Sequence, residues 1–228
     1  MTIDTSTPQT VSELPAHSAG PEEIAFALFA VFRLSSSHPV VLDGRDVPAI
    51  VQELEDVTSS LAEEGVIVRG WYDVSGLRSD ADLMVRLHGA EIEDLQWALR
   101  QLRRCALLRP LIRAWSAIGA EYRIDPAEDE ALGSTGFDAP ADWLACATAE
   151  IPDESRLARL VDDEATLRLY EATGLSEADW IVTAEADDPL NVIRLVRQLS
   201  ESTAAIAAVQ PRYTGRSIEP AEIVEVLQ

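Results

Sequence analysis

Side chains able to do chemistry are few in this sequence and far apart. The histidines are His17, His38 and His88, so none follows residue 88. Cys105 and Cys146, the two cysteines, are too distant for a metal-ligand pair or a CxxC redox motif, and they make a disulfide framework improbable. No lysine occurs: all 18 basic residues are arginines. That absence removes Schiff-base chemistry, pyridoxal phosphate attachment and the lysine of a phosphate-binding P-loop. Arg69, Arg78, Arg86 and Arg216 are then the available clamps for an anionic ligand. Asp162, Asp163 and Glu164 could offer hard oxygen ligands to a cation, but among 40 acidic residues a solvated acidic helix end is the simpler reading. Asp187 and Asp188, just before Pro189, have the types and place of helix N-terminal caps.

The positioning elements must come from a chain that is 47% hydrophobic and 25% charged, enough to bury a sizeable core. A net charge of −22 repels phosphate backbones, which excludes nucleic acid and anionic membrane as partners. The start of the chain has no basic region and no apolar core of a secretory signal, and no apolar run approaches the 18 residues of a membrane span. These features predict a cytoplasmic protein with a disordered tail over residues 1–23.

Residues 24–34 are continuously apolar and read as a buried strand. From Asp46, Val47, Ile50, Val51, Leu54, Val57 and Leu61 recur at helical spacing up to Gly65. Strands follow over 66–74 and 81–88, joined by a turn in which Gly76 reverses the chain and Asp73 or Ser75 bonds the turn backbone. A helix over 92–104 and a strand over 111–122 complete the order β-α-β-β-α-β, the ferredoxin-like unit. The second half repeats that order: strand 142–149, helix 153–164, strands 167–172 and 179–186, helix 189–202 and strand 206–213. The α+β class follows. Its predicted divisions are an N-terminal repeat over 24–124, a linker or flap over 125–140, a C-terminal repeat over 141–217 and a tail over 218–228.

Residues 70–85, Gly-Trp-Tyr-Asp-Val-Ser-Gly-Leu-Arg-Ser-Asp-Ala-Asp-Leu-Met-Val, closely resemble the strand-turn-strand signature of the chlorite dismutase family, in particular its actinobacterial-type coproheme decarboxylases. Val31-Phe32-Arg33, Trp115-Ser-Ala-Ile-Gly119, Leu195-Val-Arg-Gln-Leu199 and Tyr213-Thr-Gly-Arg216 are further echoes in family order. The resemblance implies two ferredoxin-like repeats forming a dimeric α+β barrel, with subunits in rings, commonly pentamers. It also implies haem or coproheme in the C-terminal half, held by a helical histidine, with a radical tyrosine and a second histidine on the other haem face.

This chain departs from that pattern at each of those positions. The resemblance places Glu121, followed by Tyr122, where the distal histidine stands, and Ala147 where the reactive tyrosine stands, on the strand that carries Cys146. Asp162 falls at the iron-ligand position. Haem iron takes His, Cys, Met or Tyr from a protein, and aspartate is not among them. The expectation is a haem-free, homo-oligomeric family member, a pentamer, serving as a binding, structural or partner subunit, with an intact family paralogue as a second partner. It carries no cofactor and no metal. The alternative is an enzyme of altered chemistry whose C-terminal barrel pocket, lined by Glu121, Tyr122, Cys146, Ala147, Asp162 and Arg216, takes a small metabolite or haem or coproheme with a non-histidine ligand; Cys146, Tyr122 and Tyr170 are the substitutes for that ligand. A working decarboxylase or haem peroxidase ranks last. His88 is expected to be structural, and Arg69, Arg78 and Arg86 to set hairpin geometry.

Overall fold

In β1 (Phe26–Arg33), Ala27, Phe29 and Val31 point to one side and Leu28, Ala30 and Phe32 to the other, and both sides are buried. A strand covered on both faces has no polar alternation, which is why it reads as a continuous apolar run. The computed structural model describes residues 26–35, 46–122, 140–151, 164–201 and 208–228. After β1 come α1 (Val47–Glu63), β2 (Ile67–Asp73), β3 (Leu83–Gly89), α2 (Ile92–Leu102) and β4 (Ile112–Tyr122). The second half supplies β5 (Trp143–Glu150), β6 (Thr166–Glu171), β7 (Trp180–Ala186), α3 (Pro189–Glu201), β8 (Ala208–Ile218) and α4 (Ile223–Val226). The predicted helix over 153–164 lies outside the described residues apart from its last residue, as do the tail over 1–23 and nearly all of the linker over 125–140.

All strand pairings are antiparallel. The first half runs β2-β3-β1-β4 and the second β6-β7-β5-β8, each the ferredoxin-like order. Seams β2–β8 and β4–β6 join the halves into a closed barrel. Closure removes sheet edges, so every strand finds a partner on both sides. Both seams depend on a glycine. A Cβ at Gly119 on β4 would come 2.9 Å from the Glu171 carbonyl oxygen, and one at Gly215 on β8 would come 2.8 Å from that of Asp73.

Helices cover the outside. Leu95, Ala98, Leu99 and Leu102 of α2 are buried at helical spacing, with Glu93 and Asp94 in the first turn and Arg100 in the last, the charge order that complements the helix dipole. Before α3, Asp188 Oδ1 accepts the Leu190 N–H at 2.8 Å, the capping role expected of it. In the β2–β3 hairpin, Asp73 Oδ1 accepts from Ser75 N at 2.9 Å and Ser75 Oγ at 2.6 Å, Gly76 takes φ +71°, and Arg78 pairs with Asp80 at 2.7 Å.

The C-terminal end differs from the reading of 218–228 as a tail. Strand β8 continues to Ile218 because Arg216, Ser217 and Ile218 pair with Asp73, Tyr72 and Trp71. Beyond it, Ile223, Val224 and Leu227 are buried in the first-half core. A four-residue helix is too short to reveal a 3.6-residue period. Among the described residues, no helix is long and apolar enough to cross a membrane.

Candidate functional site

Strand β3 brings a charge into the barrel. Leu83, Val85 and Leu87 pack under the helices, so the strand's period of two turns Met84, Arg86 and His88 inward. Arg86 is 1% exposed, and its three nitrogens are all used. Nε donates to His88 Nε2 at 2.9 Å, Nη1 to Glu185 Oε1 at 2.7 Å and Nη2 to the Tyr170 hydroxyl at 2.5 Å. Phe29 and Tyr170 present their rings to the guanidinium at 5.7 and 5.8 Å. Burial opposes the charge, yet its partners Tyr170 and Glu185 outweigh that and keep Arg86 a cation. His88 is the converse. Burial and then the positive charge of Arg86 push it down to about 2, so it stays neutral and accepts through Nε2.

Strands β4, β6 and β7 complete the cluster. Arg168 Nη1 donates to Glu121 Oε1 at 3.2 Å, and its Nε lies 3.5 Å from Glu185 Oε1. Tyr72 and Thr183 are fully buried; the Thr183 hydroxyl has no hydrogen-bond partner among the described residues, and the Tyr72 hydroxyl lies against the Arg86 guanidinium. Burial pushes the phenols of Tyr72 and Tyr170 up to about 12. Arg69, at a β2 bulge, is lowered by burial and by the charges of Arg86 and Arg168.

The residues singled out from sequence do not converge. Glu121 belongs to the inner cluster through Arg168. Cys146 also faces inward, buried beside Leu144, Tyr170 and Tyr213, and burial pushes its thiol up to about 12. Ala147 is 3% exposed and pairs with Val182 in register. Tyr122 closes β4 opposite Leu169. Arg216 stands apart: it is exposed and pairs with Glu222 at 3.1 Å, so the chain's own carboxylate occupies it. Asp162 lies outside the described residues. Arg86 is no hairpin residue, because its side chain crosses the barrel interior to the second half. Tyr170, weighed as a substitute haem ligand, is a fully buried strand residue. His88 is structural in the sense expected, 5% exposed and bonded to Arg86. Sequence reading passed over Arg168, Thr183 and Glu185. The one signal was an arginine inside an otherwise apolar strand, since a buried cation requires a buried partner.

The other face of the second-half sheet has a different character. Ala145, Ala149, Leu169, Trp180, Val182, Ala184 and Ala186 pack against Val192, Leu195 and Leu199 of α3. Among the described residues, the buried cluster of that layer holds no histidine, cysteine, methionine or tyrosine, and Tyr122 pairs with its Leu169 in register. At the barrel end formed by β5, β7 and β8, a cleft of about 200 Å³ is lined by Thr148, Glu150, Glu177, Asp179, Gln210 and Arg212, with Arg212 Nε donating to Thr148 Oγ1 at 3.1 Å. Among the described residues, no group of acidic, histidine or cysteine side chains could hold a metal ion.

Comparison with known proteins agrees with the fold. The chlorite dismutase family profile matches residues 47–126. A coproheme decarboxylase of Mycolicibacterium smegmatis is 26% identical over 223 residues, covering 90% of this chain and 94% of that protein. The structure of chlorite dismutase from Candidatus Nitrospira defluvii in complex with imidazole superposes with a TM-score of 0.67 at 20% identity, over 90% of this chain and 95% of that one. A mutant of that dismutase covers 92% of this chain and all of its own, with a TM-score of 0.68 at 20% identity.

Proposed function

The chain belongs to the chlorite dismutase family, and from that premise we propose that it is a haem-free member acting as a binding, structural or partner subunit of a ring assembly. The donor set of the second half carries this reading. After His88, the residue types that ligate haem iron are Cys105, Tyr122, Cys146, Tyr170 and Tyr213. Cys105 belongs to the first-half core, and Cys146, Tyr170 and Tyr213 face the barrel interior. The helix-covered face of the second-half sheet is closed by alanine, leucine, valine and tryptophan side chains. Among the described buried side chains of that face none is an iron-ligand type, which supports the haem-free reading. Ala147 likewise lacks the phenol that radical decarboxylation uses in the resemblance.

The thiolate alternative is disfavoured by the same geometry. Cys146 is 1% exposed on the interior face, and its thiol, pushed up to about 12, is protonated at neutral pH. The reading of altered chemistry draws instead on the polar cleft at Thr148 and Arg212, an open recess for a small molecule.

Titrating the purified protein with haem and with coproheme tests the proposal. The expected result is a free-ligand spectrum at every ratio. A Soret shift that saturates at one equivalent would refute the haem-free reading, and loss of that shift in Cys146→Ala would identify a thiolate-ligated enzyme. For the assembly, light scattering is expected to give the mass of a homo-oligomer, five subunits by family expectation. A monomer mass across micromolar concentrations would rule out the self-assembled ring. Mixing with an intact family relative then tests the partner role.

A further inference from the structure

Strand β8 carries one extra residue opposite β5. Cys146 pairs with Tyr213 and the next residue, Ala147, with Pro211, so Arg212 is left between them with no register partner on β5. A bulge of this kind re-aims the side chain it carries. Arg212 Nε donates to Thr148 Oγ1 at 3.1 Å, and Thr148 is 5% exposed, so the guanidinium is anchored on a buried hydroxyl. Arg78, Arg86, Arg168, Arg194 and Arg216 all hold carboxylates. Among the described residues Arg212 makes no ion pair, although Glu150, Glu177 and Asp179 line the same cleft of about 200 Å³.

Those carboxylates reach the cleft from two elements. Glu150 ends β5, and Glu177 and Asp179 lie on the connection from β6 to β7. That connection is pinned to β4: Ser176 Oγ accepts the Ile118 N–H at 2.8 Å and donates to the Ile118 carbonyl at 2.9 Å. Ala172 N–H closes it on the Asp179 carbonyl at 2.7 Å. Groups already held in place lose little freedom when a ligand arrives. The cleft thus presents one half-buried cation and three exposed anions. A simple anion would face three like charges there, and a simple cation would leave Arg212 unmet. The complement is a guest with one negative and two positive charges. The volume falls below the roughly 300–1,000 Å³ of pockets that take drug-sized ligands and cofactors, and it suits a single amino acid.

We propose that this cleft binds a basic α-amino acid, with the carboxylate on the terminal nitrogens of Arg212 and the two amino groups among Glu150, Glu177 and Asp179. Guanidinium and carboxylate form a charge-assisted pair, and a chain of net charge −22 draws in a guest of net positive charge. The proposal rests on the reading of this cleft as a small-molecule recess and names its ligand class; the haem titration concerns the other face of the sheet.

Calorimetric titration of the full chain with L-lysine tests it, alongside cadaverine, which lacks the carboxylate, norleucine, which lacks the side-chain amine, and glutamate. Lysine is expected to bind saturably, at least about tenfold tighter than each of the other three, the loss that goes with one charged hydrogen-bonding group. Arg212→Gln is expected to abolish the preference for lysine over cadaverine. Glu177→Gln, at an exposed position that folding does not depend on, is expected to weaken both. Equal lysine binding by the wild type and both variants would overturn the site. Saturable binding of norleucine or glutamate in preference to lysine would overturn the ligand class while leaving a small-molecule recess. No saturable heat with any of these compounds would overturn the proposal and remove the support for the small-molecule reading.

Discussion

Arg86 and Glu185 lie 99 residues apart in sequence and meet at 2.7 Å inside the barrel, one from each repeat. Their pairing ties β3 of the first half to β7 of the second where water is excluded. Removing Arg86 leaves the Glu185 carboxylate with only the longer 3.5 Å contact to Arg168, and breaking a buried pair of this kind costs about 3–5 kcal/mol. Arg86→Leu is therefore expected to lower stability by that order, read as a shift of the urea midpoint. Because a hydrophobic pair can replace a buried ion pair at little cost, Arg86→Leu combined with Glu185→Leu should recover part of the loss. A single variant as stable as the wild type would show that the pair does not couple the halves.

His88 makes stability depend on pH in a defined direction. Its folded pKa, pushed down to about 2, lies far below the ordinary 6.5. Between those values the unfolded chain binds a proton that the folded one refuses. The contribution is complete above pH 6.5 and is lost as pH falls. Each pH unit below 6.5 costs about 1.4 kcal/mol, so the wild type should lose roughly 2 kcal/mol between pH 6.5 and pH 5 from this residue. His88→Gln keeps an acceptor for Arg86 and does not titrate. Denaturation at the two pH values should show a smaller acid loss in that variant, and parallel losses would contradict the assignment.

The two seam glycines should respond alike. Alanine at Gly119 or Gly215 places a Cβ within 2.9 or 2.8 Å of a backbone oxygen on the opposite strand, where no flexible side chain can yield. Overpacking of this kind costs about 1–3 kcal/mol. Gly89→Ala is the control, because its nearest neighbour is a Leu95 methyl at 3.4 Å. Melting temperatures of the three variants check the order, and a Gly215→Ala protein as stable as Gly89→Ala would mean that the β2–β8 seam has slack.

Both thiols should be inert in the folded protein. Burial pushes Cys105 up to about 11 and Cys146 up to about 12, and a thiolate is the reactive form. Labelling with a disulfide reagent at pH 8 should proceed no faster than unfolding and reach two equivalents only in denaturant. Rapid labelling of Cys146 in buffer would show that the barrel interior is open to solvent.

The order of the eight strands and of the described helices was legible because it depends on local signals: strand and helix periods, turn glycines, and the Asp188 cap that holds Leu190 N–H at 2.8 Å. The donor inventory was legible too, since a chain with no histidine after residue 88 cannot supply one wherever it folds. The closing helix was not, because burial of Ile223, Val224 and Leu227 follows from a surface that other elements build. Nor did spacing reveal that Arg216 would turn outward to Glu222 while Glu121 and Cys146 turned inward. Alternation along a strand assigns residues to two faces, but barrel closure decides which face is inside and which distant residue lies opposite. Only the tertiary structure could therefore give Arg86 its partners, His88, Tyr170 and Glu185.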